Sequence, residues 1–161
     1  MRNHSSSFGD FRCAHCRSLV SAAHMLSGVN NRNHCPYCLW SRHLDLFAAG
    51  DRLSACKAPM RPVALTMKRR RNKYSTGRGE LMLVHICSGC GAPSINRIAA
   101  DDDPELILTV LASSFSLPSQ TRSLFGQNGI DALGDESLPL VRDQLFGRGA
   151  SLHVQGVVEV D

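Results

Sequence analysis

The chain has 161 residues, 43% of them hydrophobic and 6% aromatic, with a formal net charge of +4. That length holds one domain, or one compact domain with an appendage, and no apolar run approaches the roughly 18 residues that cross a bilayer. The start, Met1-Arg2-Asn3-His4-Ser5-Ser6-Ser7, lacks the apolar core of a secretion signal and reads as a disordered lead, so a cytoplasmic, reducing setting is expected.

The charge is divided along the chain. Residues 1–100 carry fifteen Lys/Arg against four Asp/Glu, and residues 101–161 carry three against ten. This asymmetry suggests a basic region that meets a polyanion and an acidic region with a different role. All seven cysteines lie between Cys13 and Cys90. An odd number fits poorly with a closed disulfide framework, and clustered thiols in a reducing setting point to metal or redox chemistry.

In chain order, Phe11 to Val20 reads as strand, tight knuckle and returning strand around Cys13-Ala14-His15-Cys16. Gly28 to Asn33 is turn-rich. A second knuckle follows at Cys35-Pro36-Tyr37-Cys38, and Leu39 to Phe47 suggests a short helical turn. Ala49-Gly50-Asp51-Arg52 is a turn ahead of Cys56. Met60 to Met67 has β character, with Pro62 favouring an edge. Lys68 to Gly79 reads as the basic tip of a hairpin. Glu80 to Ile86 is the returning strand, with Leu81, Leu83 and His85 on one face and Met82, Val84 and Ile86 on the other. It runs into a third knuckle, Cys87-Ser88-Gly89-Cys90. Asp103-Pro104-Glu105 is a helix start, with a capping carboxylate and proline at the first position. Leu106, Ile107, Val110 and Leu111 give that helix an apolar face. Pro118 opens a new segment, a further helix is expected over Leu138 to Phe146, and a short strand over Ser151 to Val160.

A Cys-x-x-Cys knuckle presents two thiolates on one side of a turn, ready for two corners of a zinc tetrahedron. One such pair also serves redox chemistry, but three in one short chain point to zinc, although iron accepts thiolates too. Two full shells need eight ligands, and seven thiolates leave one place for a histidine. The preferred arrangement joins Cys13 and Cys16 with Cys35 and Cys38, and Cys56, Cys87 and Cys90 with His43. His34 and His85 are rival fourth ligands. His4, His15, His24 and His153 read as ordinary surface or hydrogen-bonded histidines. Two zinc ions are therefore expected, as scaffold rather than as activity.

Arg32-Asn33-His34-Cys35-Pro36 spells the motif of the RNHCP domain family, which the chain resembles from about residue 8 to 103. The likeness extends to Phe11-x-Cys13-x-x-Cys16, Cys38-Leu39-x-Ser41-x-His43-x-Asp45, Gly50-Asp51-Arg52-x-x-x-Cys56, Met60-x-Pro62, His85-x-Cys87-x-x-Cys90-Gly91 and Asn96-Arg97-Ile98-Ala99-x-Asp101-Asp102. Arg17 departs from it, since the family usually has glycine after the first knuckle. The resemblance implies a zinc-ribbon-like architecture and no particular activity. It draws attention to Arg32, Asn33, Asp51, Arg52, Asn96 and Arg97 as polar partners that orient the ligands.

The fold class expected is therefore small α+β: zinc-ribbon-like β-hairpins with metal knuckles, followed by a short helical C-terminal region. Residues 1–10 form the lead, 11–103 the zinc-binding domain and 104–161 an acidic helical extension. Lys68, Arg69, Arg70, Arg71, Lys73 and Arg78 form the densest positive charge. On a hairpin tip they would neutralise phosphates without reading sequence, which favours structured RNA such as ribosomal RNA. The alternatives are a solvated loop, or a protein-interaction module using Leu106, Ile107, Leu108, Leu111, Phe115, Leu117, Leu124 and Phe125. An enzyme ranks third: Asp51 and Asp101-Asp102-Asp103 are the candidate carboxylates and an unligated Cys56 the candidate thiol, but no phosphate loop, nucleophile elbow or dinucleotide fingerprint is present. No catalytic residue is assigned.

Overall fold

A computed structural model of the chain describes residues 9–69 and 79–147. Strands β1 (Phe11–Arg12) and β2 (Leu19–Val20) pair antiparallel around the first knuckle. A short helix, α1 (His24–Ser27), follows. Strands β3 (Ser41–Arg42), β4 (Pro59–Lys68), β5 (Glu80–Cys87) and β6 (Pro93–Arg97) form one antiparallel sheet in chain order. Three helices complete the fold: α2 (Pro104–Ser114), α3 (Ser119–Gln127) and α4 (Leu138–Phe146).

The sheet is small α+β in the expected sense, and the alternation along β5 decides its two faces. On one face Leu81 and Leu83 pack with Leu65 of β4, Ile107, Val110 and Leu111 of α2 and Val141 of α4. On the other, Val84 packs with Val63 and Ala64 of β4 and Phe125 of α3. Both faces are covered, which is why β5 reads as an almost unbroken apolar run. The apolar residues of the acidic C-terminal region therefore complete the sheet's core: Ile107, Leu111 and Phe125 are buried, while Phe115 stays exposed at 39%. After α3 the chain also ties itself to β4, where Leu133 N–H donates to the Leu65 carbonyl at 2.8 Å and the Thr66 hydroxyl donates to the Asp131 carbonyl at 2.7 Å.

The expected helix start at Pro104 is present. The Asp103 carboxylate caps α2 by accepting from Glu105 N–H at 2.9 Å. Pro62 sits at a pairing irregularity between Pro62 and Ala64, beyond the end of β3, so its missing N–H leaves no gap in a regular ladder. The helical turn expected over Leu39 to Phe47 is absent. Leu39 adopts a left-handed φ of 61°, which ends any helix, and Ser41 and Arg42 pair with Met60 and Pro59 instead. Strand β6, α1 and α3 are additions to the sequence reading. The lead up to residue 8, the strand expected over Ser151 to Val160, and Arg70, Arg71, Lys73 and Arg78 lie outside the described residues.

Candidate metal centres

The three knuckles repeat one backbone geometry. In each, the residue after the second cysteine donates its N–H to the first cysteine's carbonyl: Arg17 to Cys13 at 3.1 Å, Leu39 to Cys35 at 2.8 Å and Gly91 to Cys87 at 3.0 Å. The first cysteine's own N–H bonds across the hairpin, to Ser18, Trp40 and Ala92 carbonyls, at 2.9 Å every time. The residue leaving each turn is left-handed, with φ of 68° at Arg17, 61° at Leu39 and 75° at Gly91. Arg17, where the resemblance leads one to expect glycine, thus keeps the glycine conformation. Inside the turns, backbone N–H groups aim at sulfur: His15 N–H to Cys13 Sγ and Gly89 N–H to Cys87 Sγ, both at 3.4 Å.

Two four-residue groups result. Cys13, Cys16, Cys35 and Cys38 form one, and His43, Cys56, Cys87 and Cys90 the other, with the ligand atoms of each within 4.8 Å of one another. The sulfur separations are 3.6 Å for Cys13–Cys38, Cys16–Cys35 and Cys56–Cys87. A tetrahedron with zinc–sulfur bonds of about 2.3 Å has edges of about 3.8 Å, so these sulfurs stand close to where a zinc ion requires them. They are far too distant for disulfides, and all seven cysteines are free. Cys90 Sγ lies 3.3 Å from His43 Nδ1, which completes the second set with an imidazole. The donor chemistry and the spacing both fit two zinc ions, one in a four-thiolate shell and one in a three-thiolate, one-imidazole shell.

The fold carries each ligand to its place. His43 follows β3, and its N–H and carbonyl pair with the Ala58 carbonyl and the Lys57 N–H, which brings the Cys56 segment alongside. The Ser88 hydroxyl donates to the Pro59 carbonyl at 2.7 Å, locking the third knuckle to the start of β4. Electrostatics differ from thiol to thiol. The Ser18 hydroxyl and backbone hold the exposed Cys16 down to about 6. Burial pushes Cys35 up to about 11. Burial also raises Cys87, but N–H groups of Cys90 and Gly89 outweigh it and leave the thiol at about 6.

The rival histidines are engaged elsewhere. His85 is fully buried; its Nε2–H donates to the Leu39 carbonyl at 2.7 Å and its Nδ1 accepts from Asn96 Nδ2 at 3.0 Å. Desolvation holds it neutral, down at about 3. His34 Nε2 meets the buried Asp102 carboxylate at 2.8 Å, and Arg32 bonds both Asp101, at 2.8 Å, and Asp102, at 3.4 Å. Asp102 also accepts the Ala99 N–H at 2.8 Å. Of the polar residues singled out by sequence, Asp51 and Arg52 bond backbone groups, Arg32 bonds backbone and carboxylates, Asn96 bonds the His85 ring and Arg97 the Glu80 carboxylate. Arg52 reaches the Asn31 carbonyl at 3.0 Å and the Arg32 carbonyl at 3.4 Å. Arg97 pairs with Glu80 at 2.5 Å. Asp51 accepts four backbone N–H groups, from Leu46, Phe47, Ala48 and Leu53, and these hold its carboxyl far below the usual range.

Two relationships escaped sequence reasoning. One is the tether from Arg32 and His34 to Asp101 and Asp102, whose only signal was that both segments belong to the same family pattern. The other is a parallel stack of His15 on Trp40, with centroids 4.1 Å apart and planes within 3°. Lys68 and Arg69, the two basic residues of the expected tip that are described, are exposed at the end of β4.

The sequence model of a family described as the RNHCP domain matches residues 8–108, from just before β1 into α2. Neither the curated proteins nor the solved structures yield a match to this chain.

Proposed function

The chain belongs to the RNHCP domain family, and from that premise we propose that its two zinc sites are a scaffold for binding nucleic acid, with structured RNA such as ribosomal RNA as the target. Two sets of four ligand atoms at metal-binding separations, within a family-matched region, support zinc as a structural element here. The nucleic-acid part rests on one observation. β4 and β5 pair as far as Lys68↔Glu80, with Lys68 and Arg69 exposed where the basic run begins. In sequence, Lys68, Arg69, Arg70, Arg71, Lys73 and Arg78 all fall between Met67 and Gly79, a density of positive charge suited to phosphates.

A binding module suits the chain better than an enzyme. A zinc ion held by either four-ligand set would have all four tetrahedral positions taken by protein side chains, with none left open for chemistry. Asp51 is occupied by backbone N–H groups, Asp101 and Asp102 by Arg32 and His34, and Asp103 by the α2 cap. No helix among the described residues is long and apolar enough to cross a membrane, and free cysteines suit the reducing cytoplasm we assign. A protein partner is the second reading, favoured by Leu46, Leu53 and Phe47 (85% exposed) on the loop that Asp51 organises.

Band shifts with a structured RNA across a salt series test the main reading. Binding at low salt that weakens when Arg69, Arg70 and Arg71 become alanine is the expected result. No binding at low salt, or binding indifferent to those substitutions, overturns it.

A further inference from the structure

We propose a second nucleic-acid contact, apart from the hairpin tip and resting on the nucleic-acid reading above: a strip across the first two knuckles that takes an unpaired RNA nucleotide, its base on the His15–Trp40 stack and its flanking phosphates on Arg17 and Arg42.

The strip is built from a few contacts joined by short stretches of chain. Arg12 donates from its guanidinium to the Arg17 carbonyl at 2.8 Å. Arg17 lies two residues beyond His15, whose ring stacks on Trp40. Trp40 immediately precedes β3, and Arg42 ends that strand two residues on. Arg42 donates to the Lys57 carbonyl at 3.3 Å and is registered with Pro59, which puts Arg61, two residues on, on the same side.

Charge complementarity identifies the occupant. Arg12, Arg17, Arg42, Lys57 and Arg61 are all exposed, and none meets a carboxylate at ion-pair distance among the described residues. The nearby acids are taken: Asp10 accepts from Ala22 N–H, Asp45 from Gly50 and Arg52, and Asp51 from its loop. Five unneutralised cations around a flat ring pair suit a phosphate backbone with one base turned out. His15 is exposed, and a base would stack on the side of its ring opposite Trp40. Aromatic faces hold splayed bases of RNA loops and bulges in this way, while base-paired stems cannot offer one. Along β4, Arg61 lies about 23 Å from Lys68, where the basic run begins, at about 3.3 Å per residue. The two contacts therefore suit one folded RNA, with its stem at the tip and its loop on the strip.

Trp40 is the only tryptophan in the chain, so its fluorescence reports this strip alone. The test uses the full zinc-loaded protein and two RNA probes, a stem-loop and its stem as a blunt duplex. The expected result is quenching by the stem-loop and little by the duplex. His15→Ala should weaken stem-loop binding about tenfold and leave duplex binding unchanged. Arg17→Ala with Arg42→Ala should lower affinity about tenfold and reduce the salt slope by about two, with two zinc ions per chain retained as proof of folding. Alanines at Arg69, Arg70 and Arg71 should weaken both probes without removing the quench. RNA binding with no Trp40 response, equal quenching by the duplex, or indifference to His15→Ala would remove the strip and leave the hairpin reading standing. Failure of every RNA to bind removes both.

Discussion

His34 Nε2 lies 2.8 Å from the Asp102 carboxylate, 68 residues further along the chain, with both side chains buried. The Arg-Asn-His-Cys-Pro segment therefore divides its work. Cys35 faces the first metal centre, while Arg32 and His34 reach back to the turn that precedes α2. The tether joins the second knuckle to the helix that covers one face of the sheet, so metal centre and core fold as one unit.

Neutralising Asp102 leaves the buried Arg32 with Asp101 alone and weakens the buried acceptor that His34 and the Ala99 N–H share. Asp102→Asn is expected to destabilise the protein by about 3 kcal/mol, while the metal count stays at two. Urea unfolding of the zinc-loaded protein, with metal analysis of the same sample, checks both halves. A loss of zinc on substitution would show instead that His34 and Asp102 act on the metal centre itself.

The two ligand sets share no residue. Native protein is expected to hold two zinc ions, and Cys38→Ser or Cys90→Ser one each. Chelation should unfold the knuckles and the sheet together with the helices packed on it, because structural zinc supplies roughly 10 kcal/mol of folding free energy per site. Two ions measured in native protein would sustain this arrangement. One ion, or a melting curve unchanged by chelator, would refute it.

The knuckle exits invite a paired substitution. Arg17 holds a side chain at φ 68°, whereas Gly91 at φ 75° has no side chain and open space around it. Arg17→Gly relieves left-handed strain and is expected to be neutral or to stabilise by about 1 kcal/mol, and Gly91→Ala to destabilise by a similar amount. Thermal melts of the two zinc-loaded variants decide it; a cost at Arg17 would mean that its side chain makes a contact worth more than the strain.

Asp51 makes the loop acid-sensitive. Its carboxyl is held down by four backbone N–H groups, so its folded value lies below the unfolded one of about 3.9. Such a group stabilises fully above the unfolded value and progressively less as pH falls below it. Asp51→Asn is expected to speed amide exchange at Leu46, Phe47, Ala48 and Leu53 at neutral pH. The difference from the native chain should shrink as pH falls through 4. A gap that does not change with pH would place the effect on something other than the carboxylate.

The cysteine spacing made the knuckles legible, because a tight turn between two ligands is a local device. The β5 alternation was legible for the same reason: side-chain period follows from strand geometry, and both of its faces found partners where alternation put them. The α2 start was written in Asp103 and Pro104. Histidine roles were not local. His34, His43 and His85 all sit near cysteines in sequence, yet one meets a carboxylate, one stands with three thiols and one binds a carbonyl. Each outcome depends on a partner dozens of residues away. The sequence by itself determined that this chain builds thiolate knuckles and an apolar two-faced strand, since turn chemistry and periodicity act over a few residues. Only the tertiary structure decided which histidine joins the metal centre and that the Arg32–His34 segment docks on Asp101–Asp102, because those choices are made by long-range register and burial.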